Sequence, residues 1–248
     1  MAETQTATEP KKSDLPVRAA SAVVMIAVAG TALWLGGWWW TVFVAAVALG
    51  VLWEWTQLAS KLSNSRLAYI CWIVGGLIYV GLAALFLVSQ RMRADSVVSV
   101  LAIVGAVVAV DIGAYFAGRT FGGPKIAPAI SPSKTWAGLA GGIIAATSVV
   151  FWTISAFGLC YYDGPPVWFP CLQFGWAEFL LSFVVGAGFA IVAQAGDFFE
   201  SWMKRKAGVK DSGDLIPGHG GLFDRTDGLL AVCFAIELLW LHAFLMSS

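Results

Sequence analysis

Seven mostly apolar stretches, each close to twenty residues long, divide this chain of 248 residues. A helix needs about 20 such residues to cross the hydrocarbon core of a bilayer. With 59% hydrophobic and 12% charged residues, the chain carries more apolar surface than one soluble core could bury. The pattern therefore predicts an all-α integral membrane protein with about seven transmembrane helices. The expected spans are 18–36, 38–57, 67–90, 96–117, 138–160, 176–199 and 228–246.

The distribution of Lys and Arg predicts how these helices are oriented. When the N-terminus is placed inside, every Lys and Arg except Arg91 and Arg93 falls on the inner side, as the positive-inside rule requires. We therefore expect a multi-pass protein of the inner (cytoplasmic) membrane whose N-terminus and two polar loops face the cytoplasm. Residues 1–17 are polar and show no cleavage site, which predicts a disordered cytoplasmic tail rather than a signal peptide.

Domain organisation is simple, because no internal repeat or soluble domain of useful size is visible. Residues 18–95 are expected to form N-terminal transmembrane helices, and residues 96–248 a transmembrane domain that carries the polar loops.

Gly36-Gly37, followed by three tryptophans, predicts a tight turn at a membrane interface. The glycines of residues 138–142 predict close helix packing. On the predicted outer loop, Cys160 and Cys171 could form a disulfide or stay reduced.

The first polar loop follows the fourth span and begins with an acid at membrane depth. Asp111 comes after fifteen uncharged residues, and a carboxylate there costs a few kcal/mol unless it meets a cation, a metal or water. It is either part of a functional site or the partner of Arg119 or Lys125 in a structural ion pair. The loop continues with Ser131, Ser133 and Lys134.

The second polar loop, residues 196–227, has acids and bases at helical spacing. If the sixth helix continues to about Lys206, one stripe of that helix carries acidic, hydroxyl and basic side chains. Asp224 and Asp227 share a face at the start of the seventh helix, where exposed N–H groups also suit a phosphate. The two acidic helix ends could therefore converge. The stripe on the sixth helix consists of Asp197, Glu200, Ser201 and Lys204.

Magnesium takes one or two carboxylates and leaves its other positions to phosphates and water. Asp197 and Asp224 suit that role, and the lysines and arginine between them add positive charge. The glycine-rich run from 208 to 221 supplies backbone amides that can approach a phosphate closely. The alternative is a solvated loop beside ordinary helix caps.

These residues form a pattern that resembles the signature of the phosphatidate cytidylyltransferase (CDP-diacylglycerol synthase) family. Gly196-Asp197 and the stretch from Asp111 to Thr135 are also similar to that family, so the resemblance covers roughly residues 107–230. Ala137 departs from it, because the family often has an acidic residue near this position. The signature reads Ser201-x-x-Lys204-Arg205, then Lys210-Asp211-x-Gly213, then His219-Gly220-Gly221-x-x-Asp224-Arg225-x-Asp227.

The resemblance implies transfer of a cytidylyl group from CTP to phosphatidic acid in a homodimeric membrane enzyme, with no nucleic-acid partner. It implies a two-cation centre held by Asp197 and Asp224, in which Mg²⁺ is one ion and a monovalent cation such as K⁺ is a candidate for the second. The catalytic residues it implies are Asp197, Lys204, Arg205, Asp224 and Asp227. The substrate-binding residues it implies are Asp111, Arg119, Lys125, Ser131, Ser133, Lys134, Ser201, Lys210, Asp211, His219 and Arg225.

Other functions stay open at this point. Asp111 and Glu237 lie within predicted spans, as in an ion-coupled transporter, although the polar residues otherwise gather at one membrane face. A related CTP-dependent lipid kinase, or a liponucleotide synthase acting on another lipid, would carry similar chemistry. A scaffold that only binds would not need paired acids and bases. His219 either closes over a nucleotide or is a simple turn residue, and Glu54 and His242 have no predicted role.

Overall fold

Long helices form most of the protein in the computed structural model, which describes residues 15–92, 96–158, 175–216, 218 and 220–247. Within these ranges, seven helices are long and apolar enough to cross a membrane. The predicted seven-span membrane fold is therefore confirmed. The helices are α1 Leu15–Leu35, α2 Gly37–Leu62, α3 Arg66–Arg91, α4 Ser96–Phe121, α5 Trp136–Thr153, α6 Trp176–Lys206 and α7 Phe223–Ser247.

Several helices extend beyond the apolar stretches that predicted them. α4 ends at Phe121 rather than 117, and α7 begins at Phe223 rather than 228. Hydropathy detects only the part of a helix that lies in hydrocarbon, whereas backbone hydrogen bonds continue into the polar ends. α6 reaches Lys206, which confirms the predicted continuation of the sixth helix. α1 begins at Leu15, so the last residues of the predicted tail are helical, while residues 1–14 lie outside the described ranges.

A short antiparallel hairpin, β1 Lys125–Ala127 with β2 Ser131–Thr135, interrupts the otherwise helical fold. The all-α prediction missed it because strands this short carry no alternating apolar pattern. β2 leads directly into α5: the Thr135 hydroxyl accepts a hydrogen bond from Gly138 N at 3.0 Å and caps the helix. A π-helical segment, Ile154–Gly158, follows α5.

Glycines set the closest contacts between helices. Gly36 and Gly37 have φ values of 64° and 50°, which confirms the predicted tight turn between α1 and α2. Where α4 meets α5, a Cβ on Gly141 would lie 2.6 Å from Gly113 O and would overlap the Ala117 side chain. Only glycine allows the two backbones this close, as predicted for residues 138–142.

An aromatic cluster around Trp55 joins four helices and fixes the end of the bundle that carries the polar loops. The Trp55 ring lies 5.6–6.1 Å from four other rings, contributed by α3, α6 and α7. Trp55 Nε1 donates a hydrogen bond to Trp72 O at 2.8 Å, which satisfies the polar atom of this buried ring. The cluster therefore sets the positions of α6 and α7 near their polar ends. The four rings belong to Trp72, Tyr79, Phe199 and Phe223.

Candidate active site

The last three turns of α6 carry the predicted polar stripe. Ser201 Oγ donates a hydrogen bond to Asp197 Oδ1 at 3.2 Å, one turn away. Lys204 Nζ lies 2.7 Å from Glu200 Oε2, again one turn away. The Glu200 side chain is 1% exposed, so its charge is removed from water and depends on this lysine.

Lys204 also connects α6 to α7. Its Nζ lies 2.5 Å from Asp224 Oδ1, and the lysine side chain is only 13% exposed. One buried ammonium group therefore lies between carboxylates from two helices. A contact of this kind is strong where water is excluded, because little solvent screens it. The predicted convergence of the two acidic helix ends is confirmed here.

Asp224 is nearly saturated with hydrogen bonds from the protein. Its Oδ2 accepts from Ser212 N at 2.9 Å and from Gly221 N at 3.0 Å, and lies 3.0 Å from Ser212 Oγ. With Lys204 on Oδ1, these partners use most of the roughly four acceptor positions of a carboxylate. Asp224 therefore ties the glycine-rich loop to Lys204.

Glu54 of α2 holds the same loop from the opposite side. This carboxylate is 1% exposed and accepts from Leu222 N and Phe223 N at 2.8 Å each, across 168 and 169 residues of sequence. Ser212 Oγ also lies 2.8 Å from it. Amides in the first turn of a helix have no partner within the helix, so Glu54 caps the start of α7 from another span. It anchors the loop that positions Asp224 at Ser212, within the loop, and at the start of α7.

Glu54→Gln is expected to lower the free energy of unfolding by about 2 kcal/mol or more, because an amide N–H₂ would then face backbone donors and leave them unpaired. The midpoint of thermal unfolding in detergent measures the loss. Glu237→Gln is the matched control, since it also replaces an acid within a span but is remote from this loop. Equal midpoints for the two variants would contradict the anchoring role of Glu54.

A group of three carboxylates spans the junction of α6 and α7. Ligand oxygens of Asp197, Glu200 and Asp227 all lie within 4.8 Å of one another. Glu200 Oε1 is buried and has no hydrogen-bond partner in the described part of the chain. Lysines pair with two of the three carboxylates, and the clustered oxygens are the hard ligands that a divalent cation prefers, so the group suits a metal ion. Among the residues that the structure describes, Asp224 is not a member of this group.

Lys134 brings the first polar loop to this group. Its Nζ pairs with Asp197 Oδ2, so the β2 strand is tied to α6. A polar cavity of about 440 Å³ opens beside the pair. No ion pair in the described ranges involves Asp111, and Arg119 Nη1 instead donates to Tyr115 Oη at 3.0 Å. The structural ion pair considered for Asp111 is therefore not seen. Polar residues lining the cavity include Asp111, Arg119, Lys125, Ser133, Lys134 and Gln194.

Other residues of the predicted site lie apart from this cavity. Lys210 and Asp211 line a second polar cavity of about 680 Å³ together with Glu54 and Lys61. Ser131 lies in the hairpin, with its Oγ 3.5 Å from Ser133 Oγ. The side chains of Arg205 and Arg225 are exposed. His219, Cys160 and Cys171 lie outside the described residues.

Three residues near the site had no predicted role in it. Glu54 was left unassigned, although a carboxylate in an apolar span is itself a signal. Ser212 and Gln194 carry no charge, so their residue types alone did not indicate a role in the site. Gln194 lies one turn before Asp197 on α6, is 5% exposed and lines the polar cavity, so helical spacing from Asp197 is the feature that would have found it.

Comparison with known proteins assigns the family. A model described as the cytidylyltransferase family matches residues 16–76 and 61–243. The chain belongs to this family. A cytidylyltransferase is a nucleotide-using transferase, and this one has seven helices able to cross a membrane among its described residues. The resemblance drawn from the polar loops is thereby confirmed.

Curated relatives of this cytidylyltransferase carry a more specific name. A protein of Brucella suis biovar 1 named phosphatidate cytidylyltransferase is 33% identical, covering 91% of this chain and 93% of the relative. Proteins with the same name from Rickettsia bellii and Rickettsia prowazekii are 33% and 31% identical, over 90% and 76% of this chain and 90% and 75% of their own lengths. Family membership favours an enzyme over a transporter or a scaffold.

Proposed function

We propose that this chain transfers the cytidylyl group of CTP to phosphatidic acid and releases pyrophosphate, giving CDP-diacylglycerol. One observation carries the proposal: the Lys134–Asp197 pair joins both polar loops at a group of three carboxylates flanked by lysines. Such a site suits two anionic substrates and a metal. The names of relatives that match over about nine-tenths of the chain support the same reaction.

We place the site on the cytoplasmic side of the inner membrane. The bias of Lys and Arg towards the loops that carry it supports this orientation, and so does a hydrophilic nucleotide substrate. The lipid acceptor would reach the site from the bilayer. The resemblance further implies a homodimer, which stays a prediction.

The carboxylate group fits a hard divalent cation, and we assign Mg²⁺ to it. Oxygen ligands are those Mg²⁺ prefers, and the unpartnered Glu200 Oε1 would gain a partner. When bound, the ion would neutralise charge on the nucleotide phosphates and on the departing pyrophosphate. We favour Asp197, Glu200 and Asp227 as its ligands, because their oxygens lie within 4.8 Å of one another. Asp224 lies outside this group and is held by the glycine-rich loop. A second, monovalent cation stays a prediction.

The remaining residues would bind and orient the two substrates. A phosphate oxygen of phosphatidic acid attacks the α-phosphorus of CTP, and the bond from that phosphorus to the bridging oxygen breaks. The nucleophile is already an anion at pH 7, so the protein need not remove a proton from it. Arg119, Lys125 and Lys134 in the polar cavity would offset repulsion between the two anions, which is the main electrostatic obstacle.

A turnover assay tests the proposal directly. Purified protein in detergent is supplied with CTP, MgCl₂ and phosphatidic acid, and pyrophosphate and lipid product are followed together. We expect equal amounts of pyrophosphate and CDP-diacylglycerol. Diacylglycerol and a free polyprenol serve as control acceptors. Release of CDP with phosphorylation of either alcohol would overturn the proposal in favour of a lipid kinase.

A further inference from the structure

An apolar cavity of about 670 Å³ lies between α3 and α6, with α7 and Trp55 behind it. None of the described residues that line it is charged, and the Tyr79 hydroxyl is the main polar group among their side chains. Ile191, on its rim, is 55% exposed. The cavity therefore faces the surroundings of the helices, which for a spanning helix are the lipid chains.

The cavity starts at the level of the carboxylate group. Gly196 and Phe199 line it, and both lie on the same turns of α6 as Asp197 and Glu200. From there it extends along α6 to Ile191 and along α7 to Ala235. At 1.5 Å per residue, these positions lie about 9–12 Å from the carboxylate residues of the same helices. Half of the hydrocarbon core is about 15 Å thick, so the cavity follows most of one leaflet.

Two other apolar cavities in the described part of the chain lack this position. One lies between α1 and α2 and is lined by residues such as Ala27 and Phe43. The other adjoins the first, since Val192 and Ala235 line both, but it extends to Gln90 and Trp240, nearer the opposite ends of α3 and α7. Neither includes a residue adjacent to Asp197, Glu200 or Asp227. Position relative to the acids therefore singles out the cavity between α3 and α6.

We propose that this cavity binds one acyl chain of the phosphatidic acid acceptor while its phosphate lies at the carboxylate group. The inference rests on the proposed function and adds a lipid subsite to it. A chain that descends from a headgroup at Asp197 and Asp227 must follow α6 and α7 into the bilayer, which is the path of the cavity. Burial of methylene groups there favours long-chain acceptors over short-chain ones.

Gly75 offers a direct test, because it lines the cavity and a Cβ added to it meets no atom within 4 Å. Gly75→Leu would fill part of the cavity without displacing the backbone. We expect it to raise the KM for dioleoyl phosphatidic acid about tenfold. The KM for CTP and the turnover of dihexanoyl phosphatidic acid should change less than about twofold, since a short chain needs little of the cavity.

Two matched variants control for the added bulk. Gly81 and Gly30 are also helical glycines with open space at the Cβ position. Gly81 lies on the same helix as Gly75, Gly30 lies on α1, and neither lines the cavity. Gly81→Leu and Gly30→Leu should leave the preference for chain length unchanged. An equal change in either control, or no change in Gly75→Leu, would overturn the proposal.

Alkylation of Cys71 provides a second measurement that needs no substitution, provided that it is followed by mass spectrometry of the peptide that contains Cys71, because the chain has three other cysteines. This free, exposed cysteine lines the cavity, whereas Cys233 is buried. Dioleoyl phosphatidic acid should slow its reaction with N-ethylmaleimide several-fold, and dihexanoyl phosphatidic acid should not. If both lipids, or dioleoyl phosphatidylcholine, protected Cys71 from alkylation equally, the protection would reflect ordinary contact with lipid and the acyl-chain subsite would be wrong. If the wild-type protein were inactive on phosphatidic acid of any chain length, the proposed function itself would be wrong.

Discussion

Asp227→Asn is expected to lower CTP turnover by about a hundredfold or more, the range seen when a group that stabilises transition-state charge is removed. It should also raise the Mg²⁺ concentration needed for half-maximal activity. Asp227 shares the junction of α6 and α7 with Asp197 and Glu200, whose oxygens lie within 4.8 Å of its own. A neutral amide in that group binds a divalent cation less tightly. Initial rates measured across a range of MgCl₂ concentrations give both quantities.

Asp224→Asn distinguishes this arrangement from the metal pair predicted from the sequence. Asp224 receives Lys204, Ser212 N and Gly221 N, so its loss should reduce turnover while leaving the Mg²⁺ dependence nearly unchanged. Glu178→Gln, in the first turn of the same α6, is the control for an acid changed far from the site. If Asp224→Asn shifts the Mg²⁺ dependence and Asp227→Asn does not, the assignment of the ion to Asp227 is wrong.

The contrast between Asp224 and Asp227 also shows what sequence patterns can and cannot predict. Spacing correctly placed both on one face at the start of α7, and it predicted that α6 would continue to Lys206. It could not assign their partners, because these depend on the path of the loop between the helices. That path is set by Ser212 and by Gly221, whose amide points at Asp224. Local periodicity contains no information about such a path.

Long-range contacts account for the other features that were missed. The apolar spans were predictable because each is a local property of about 20 residues. The role of Glu54 was not, because its partners Leu222 and Phe223 lie in another part of the sequence. The hairpin of β1 and β2 was missed because strands of three and five residues are too short to show a period. The membrane helices could thus be predicted from the sequence. The contacts by which Glu54 and the glycine-rich loop hold the site residues in place could not.

Lys204→Met is expected to destabilise the protein by about 3–5 kcal/mol, the usual cost of removing one member of a buried charge cluster. Lys204 contacts Glu200 and Asp224 at 2.7 and 2.5 Å, and their side chains are 1% and 9% exposed. Without the ammonium group, two carboxylates would remain buried beside each other. The midpoint of thermal unfolding measures this effect, with Lys206→Met as the control, since Lys206 lies on the same turn but is exposed.

A double variant tests whether the stability lost in Lys204→Met comes from the charge that Glu200 then leaves unpaired. Glu200→Gln removes one of the two stranded charges, so Lys204→Met/Glu200→Gln should recover much of the stability lost in Lys204→Met, a non-additive effect typical of contacting residues. Turnover should stay low, because Glu200 is also one of the proposed Mg²⁺ ligands. Recovery of turnover together with stability would contradict the assignment of Glu200 to the metal site. Wild-type stability in Lys204→Met would show that the buried pairs do not join α6 to α7.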